Sequence, residues 1–320
     1  MNTFLSMLPG SLMVAAPIII CALGGLLSER SGITNIALEG IMTVGAFVSA
    51  ALLFYLEKVP GFGSGLGCWV AVLAGAFGGM LFSTLLAIAA IRYKSDQTIA
   101  GAALNMLSVA LCIYISQILF GHQRTDTFTT GITRIKKVPL LGDIPIIGPL
   151  LFQGINPTIY VAVVLVVIVW FVVFKTRFGL RLRSCGENPQ ASASLGVKVE
   201  KIRTIAVLAS GFLGGMAGAL MVLTTDTQFT ASSIHGMGFI SLAALIFGKW
   251  QPFGALGAGI FFGFAQQLGV YANMIPLLNQ LPSEFFHAIP YVITIIALVL
   301  FSSKAVGPRA AGQIYDPGQR

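Results

Sequence analysis

Asn35 and Glu39 stand about one helical turn apart, near the start of a long apolar run that follows Arg30. At about 1.5 Å of rise per residue, Glu39 falls roughly a dozen ångström beyond Arg30. A charge near the centre of a bilayer costs about 2.5–3.5 kcal/mol on insertion scales, so such a carboxylate must face a cavity, find a partner or take up a proton. Two roles fit it. Glu39 could be a polar group on a translocation path, or a hydrogen-bond anchor for a helix interrupted near Gly32 and Gly40. Asn105 and Ser108, three apart on a later run that begins at Gln97 and Thr98, share one helix face. Gln117, further along, reads as an interhelical hydrogen bond, while Asn105 fits either that role or the path. Asp226 and His235 lie among the hydroxyls of Thr224, Thr225, Thr227, Thr230, Ser232 and Ser233, in a loop that would stand at the mouth of such a path. The candidate path residues are therefore Asn35, Glu39, Asn105, Ser108 and Asp226.

Other chemistries lack their residues. His122, His235 and His287 have no motif spacing, as a membrane enzyme would need. Cys21, Cys68, Cys112 and Cys185 form no CxxC or metal-ligand pattern and read as small apolar core residues. No metal site or resident cofactor is expected. A phosphate-binding loop needs Gly-Lys followed by Ser or Thr, but Gly248-Lys249 is followed by Trp250. Any ATP and Mg would belong to a partner chain.

These side chains need elements to hold them. Only 9% of the 320 residues are charged and 56% are hydrophobic, with a mean hydropathy of +0.88. A soluble surface needs about 25% charged residues, so lipid is the solvent over most of this chain. About 20 apolar residues cross a bilayer as a helix. Nine segments qualify: 10–28, 33–55, 67–91, 97–120, 157–174, 203–224, 236–249, 254–273 and 284–302. The first, with no basic residue before it, reads as a retained helix and not as a cleaved signal. The expected fold is all-α, a polytopic bundle of about 9–10 transmembrane helices in a single domain, residues 1–320. Glycines four apart, at Gly75/Gly79, Gly211/Gly215, Gly214/Gly218 and Gly259/Gly263, predict close helix approach. Aromatic residues from Phe229 to Phe264 are read as lipid-facing or interfacial, with stacking on a ring-shaped solute as the alternative. Gly32–Ala46 and Ser233–Phe247 share a pattern, polar then apolar, which hints at an inverted repeat.

The net charge of +8 does not indicate nucleic acid, because the basic residues sit in short clusters between apolar runs. Of the 19 Lys and Arg residues, 14 fall on one side of the alternating topology and 5 on the other. The positive-inside rule then places loop 175–203 and tail 303–320 in the cytoplasm, and the N-terminus and loop 121–156 outside.

Loop 175–203 carries the punctuation of one short helix. Asn188 suits the N-cap and Pro189 the first turn. Gln190, Ala191, Ser192, Ala193, Ser194 and Leu195 follow, and Gly196 suits the left-handed position that ends a helix. So short a helix needs packing or a docking partner to persist.

Residues 178–218 resemble the cytoplasmic coupling loop and following helix of ABC-importer permeases, in the family of ribose and branched-chain amino acid permeases. Leu26-Leu-Ser-Glu-Arg-Ser-Gly-Ile-Thr-Asn-Ile-Ala-Leu-Glu-Gly, Ser95-Asp-Gln-Thr-Ile-Ala-Gly-Ala-Ala-Leu-Asn and Gly238-Phe-Ile-Ser-Leu-Ala-Ala-Leu-Ile-Phe-Gly-Lys-Trp carry the likeness along nearly the whole chain. The match is nearest to the nucleoside branch associated with basic membrane proteins. The resemblance implies a non-enzymatic translocation subunit in the cell membrane. It implies that residues 188–196 dock on an ABC ATPase subunit. It also implies a second homologous permease subunit and an external substrate-binding lipoprotein. Riboflavin or a simple sugar is the alternative substrate. A self-sufficient secondary transporter, with Glu39 or Asp226 binding the coupling proton, is the alternative of a different class.

Overall fold

The computed structural model describes residues 2–60, 65–137, 153–272 and 307–316, with isolated positions 292 and 295. The expected span 284–302, apart from those two positions, and residues 138–152 of loop 121–156 lie outside the described residues.

The described chain is helical. The long helices are α1 (Asn2–Arg30), α2 (Leu38–Leu56), α3 (Gly65–Ala87), α4 (Gln97–Phe120) and α5 (Thr158–Lys175). Two short helices follow, α6 (Arg177–Glu187) and α7 (Pro189–Ser194). The second half has α8 (Val199–Thr225), α9 (Met237–Phe247) and α10 (Pro252–Ala272). Among the described residues, six stretches are long and apolar enough to cross a membrane: Met7–Arg30, Leu38–Leu56, Gly65–Arg92, Gln97–Phe120, Thr158–Lys175 and Val199–Thr225. A one-turn π-helix, Ile88–Arg92, prolongs α3 to its basic end.

Three sequence expectations change. The helix expected over 33–55 starts at Leu38, so Asn35 lies in an interruption and not on the helix. Gly32, at φ +95°, supplies the left-handed turn that starts this interruption. Loop 175–203 holds two helices, because Thr176 caps α6 by accepting the Gly179 N–H at 3.1 Å. Loop 121–156 contains a small antiparallel ribbon pairing Ile135 with Ile155 and Lys137 with Gln153.

Helix α8 is the hub, packed on α1, α2 and α3. Its approach to α3 is set by glycine. A Cβ on Gly79 would lie 2.5 Å from the Gly215 Cα, and one on Gly75 would lie 2.6 Å from the Gly45 carbonyl of α2. Backbones this close exchange dispersion contacts that side chains would forbid. Gly259 and Gly263 of α10 meet α1 in the same way, at Ile19 and Ala15. By contrast α4 and α5 keep most of their apolar side chains on the outside, where Met106, Tyr114, Ile118, Val164 and Phe171 are exposed. Lipid-facing helices gain nothing by hiding such residues.

Candidate functional site

Two helices begin inside the apolar bundle, and each is capped by a side chain from another helix. The first four N–H groups of a helix have no partner within it, and an unsatisfied one in lipid costs several kcal/mol. At the start of α2, Asn105 of α4 accepts the Gly40 N–H at 2.8 Å and donates to the Ile36 carbonyl at 3.0 Å. Ser108, fully buried, donates to the Asn105 carbonyl at 2.7 Å.

At the start of α9, the Glu39 carboxylate accepts the Gly236 N–H at 2.8 Å and the Gly238 N–H at 2.7 Å. Gly236 is left-handed at φ +78°, and His235 before it at φ +48°. At about 1.5 Å per residue, the 11 residues of α9 span only about 16 Å, half a hydrocarbon core. A carboxylate at a helix N-terminus is also favoured by the helix dipole. The likeness between Gly32–Ala46 and Ser233–Phe247 thus has a physical counterpart: each is an interruption followed by a helix capped in trans.

Asn35, fully buried, donates to Ser210 Oγ at 2.9 Å, and its Oδ1 has no hydrogen-bond partner. Glu39, Asn105 and Ser108 therefore gather around the start of α2, with Asn35, four residues before Glu39, bonded to Ser210 of α8. Asp226 stands apart from Glu39 by chain position, at the end of α8. Burial pushes its carboxyl above the usual range, against hydrogen bonds from Ser233 and Thr225 and the charge of His235. Gln117 donates to the Gly121 carbonyl at 2.8 Å, a local bond at the end of its own helix. Among the aromatic residues, Phe229 and Phe262 are fully buried, while Phe239, Phe253 and Phe261 are exposed. Among the described residues no His, Cys, Asp and Glu cluster could hold a metal.

The opposite end of the bundle carries the basic residues. Its parts are clamped by contacts that sequence reading missed. Trp250 donates its indole N–H to Glu29 at 2.5 Å, and Arg30 donates twice to the Trp250 carbonyl, at 3.1 and 2.9 Å. Lys249 and Trp250 both take left-handed conformations, at φ +51° and +52°. Arg203 donates to the Ser31 carbonyl at 3.1 Å, and Gln97 accepts the Thr34 N–H at 2.7 Å. The tail closes this face: Ala310 N–H donates to Gly186 O at 2.8 Å, and Lys94 pairs with Asp316 at 2.8 Å.

On this face α7 is built as its residues predict. Asn188 Oδ1 accepts the Ala191 N–H at 2.9 Å, and Pro189 fills the first turn. Gly196, at φ +81°, donates to the Ala193 carbonyl at 2.9 Å while Val197 donates to Ser192 at 3.1 Å. That pair of bonds is the Schellman termination. Pro189 and Ser192 are buried, whereas Gln190, Ala191, Ser194 and Gly196 are exposed and Leu195 is 84% exposed. A rigid, capped projection with an exposed leucine results.

The fold and these sites define a polytopic membrane protein with interrupted, cross-capped helices and a rigid projection on its basic face. Residues 7–298 match the family described as the permease component of branched-chain amino acid transport systems, and the chain belongs to that family. It is 45% identical over 315 residues to the guanosine ABC transporter permease protein NupQ of Bacillus subtilis (strain 168), covering 98% of this chain and 97% of the relative. It is 42% identical to the nucleoside ABC transporter permease protein NupC of Lactococcus lactis subsp. cremoris (strain MG1363), with 98% of each chain covered. A second Bacillus subtilis guanosine permease protein, NupP, is 27% identical, over 91% of this chain and 79% of its own length.

Proposed function

We propose that this chain is the membrane-spanning subunit of an ATP-driven importer for nucleosides. The observation that carries the reading is similarity over nearly its whole length to two permeases named for guanosine and nucleoside transport. The chain itself makes and breaks no bonds. ATP hydrolysis falls to a separate ABC ATPase subunit that seats residues 188–196. The lower identity to a second guanosine permease supports pairing with a similar but non-identical permease. An external lipoprotein delivers the solute. The basic face is cytoplasmic and the N-terminus is outside, as the charge distribution favours.

In this reading the trans-capped starts of α2 and α9 are where the path is organised. Glu39, Asn105 and Ser108 hold the interrupted helices, and Asn35 offers an open buried carbonyl oxygen beside them. ATP-driven closure of the ATPase pushes α7, and the clamped basic face passes the motion to α1, α4 and α8.

Uptake of labelled guanosine by cells that depend on this system tests the substrate class. Excess adenosine is expected to compete, and riboflavin and glucose to leave uptake unchanged. Competition by riboflavin or glucose without competition by nucleosides overturns the assignment.

A further inference from the structure

Two cavities open along α8, one against the end of α3 and its π-turn, the other mainly against α5. One, of about 490 Å³, lies at the basic face and is lined by Ile88, Ile91, Arg92, Lys94, Glu200, Lys201 and Thr204 among others. The other, of about 420 Å³, is lined almost wholly by apolar side chains: Leu165, Ile168 and Val172 of α5 face Ile205, Leu208 and Phe212 of α8, with Met80 of α3 at the edge. Their α8 residues fall on one stripe: Lys201, Ile205 and Ala209 repeat every four residues, as do Thr204, Leu208 and Phe212. On α3 and its π-turn, Met80 and Ile88 repeat at eight, two steps of four along the same face. The two cavities therefore follow one another along α8, the first basic at its rim and the second apolar.

We infer that the two cavities act as one groove that binds an anionic phospholipid, with its headgroup phosphate at Arg92 and Lys201 and an acyl chain along Ile205, Leu208 and Phe212. Among the described residues Arg92 and Lys201 make no ion pair, whereas Lys94 is held by Asp316 at 2.8 Å. Lys94 keeps a left-handed backbone, φ +53°, directly after the π-turn that sets Arg92 at the mouth. Glu200 is the one carboxylate lining this cavity, so three cations face one anion there. A basic pocket between transmembrane helices suits an anionic headgroup. A protein partner would have to match a groove that is charged at one end and featureless hydrocarbon at the other. A diacyl lipid has that shape and that polarity. The site is separate from the capped starts of α2 and α9 and from α7. It also bears on the hub, because both cavities are lined by α8.

Native mass spectrometry of the full-length chain, co-expressed with its partner subunits and exposed to phosphatidylglycerol or phosphatidylethanolamine, tests the inference. Phosphatidylglycerol should be retained preferentially. The Arg92→Gln/Lys201→Gln pair should weaken that retention about thirtyfold, as removal of two cations at a lipid surface implies. Leu208→Trp, which fills the groove while leaving the cations in place, should also lose it. A photo-crosslinker at residue 205 should capture lipid. Equal retention of the two lipids, an unchanged Arg92→Gln/Lys201→Gln variant, or a crosslink from residue 205 to another protein chain overturns the proposal.

Discussion

The Glu39 carboxylate accepts the Gly238 N–H at 2.7 Å across 199 residues of sequence, and so closes the start of one interrupted helix with a side chain from another. The charge that looked costly inside the bundle is placed where a helix N-terminus needs an anion.

Removing that cap leaves two N–H groups without partners, one buried at Gly238 and one half-buried at Gly236, at up to about 1–3 kcal/mol each. Glu39→Ala should therefore lower the thermal unfolding midpoint in detergent, and Glu39→Gln, which keeps one acceptor oxygen, should fall between it and the parent. An unchanged midpoint for Glu39→Ala would show that the cap contributes nothing.

Asn105→Ala should act in the same sense at α2, since it orphans the Gly40 N–H and the Ile36 carbonyl. Asn105→Asp should keep the bond to Gly40 and lose the donor to Ile36. Its midpoint should lie above that of the alanine variant.

The α3–α8 seam gives a steric prediction. Gly79→Leu and Gly215→Leu place side chains where backbone now lies and should abolish recovery of folded protein. Gly65→Leu, at a position with nothing within 4 Å, is the control and should express normally.

How much of this was legible in the sequence depends on range. Hydrophobic runs place α4, α5 and α9 to within a residue or two, because lipid imposes length on each segment locally. The Asn188, Pro189 and Gly196 signals define α7 for the same reason: caps are short-range chemistry. The break after Arg30 was misplaced, since Ile33 and Ile36 are apolar enough to pass for helix although Gly32 has turned the chain. Glu39 was recognised as an anomaly but its partner was not, because Gly236 and Gly238 contribute only backbone N–H groups. The clamp of Glu29 and Arg30 on Trp250 was invisible for a similar reason. It uses a tryptophan carbonyl, and the sequence carries no mark for a carbonyl acceptor.

At the other end of the molecule Glu57 predicts a pH effect. Partial burial opposes its ionisation, but hydrogen bonds from the Thr130 hydroxyl and the Thr129 and Thr130 N–H groups outweigh this and hold its carboxyl below the usual range. The clamp on loop 121–137 is therefore fully present above the ordinary glutamate value of about 4.3 and is lost as pH falls through the depressed folded value. Amide exchange at Thr129 and Thr130, corrected for intrinsic rate, should accelerate over that acid range. Glu57→Gln should exchange fast at every pH.

The projection α7 predicts a separation of effects. Ala191→Glu together with Ala193→Glu should abolish solute-stimulated ATPase activity of the assembled importer while membrane insertion and expression stay normal. Normal coupled transport by this variant would remove the docking role of residues 188–196.

The most direct measurement is guanosine uptake by proteoliposomes holding either the full assembly or this chain alone. The account predicts uptake that requires ATP and the ATPase subunit and survives collapse of ion gradients. Accumulation of guanosine by the chain alone, driven by a proton gradient, would contradict it and make this protein a secondary transporter.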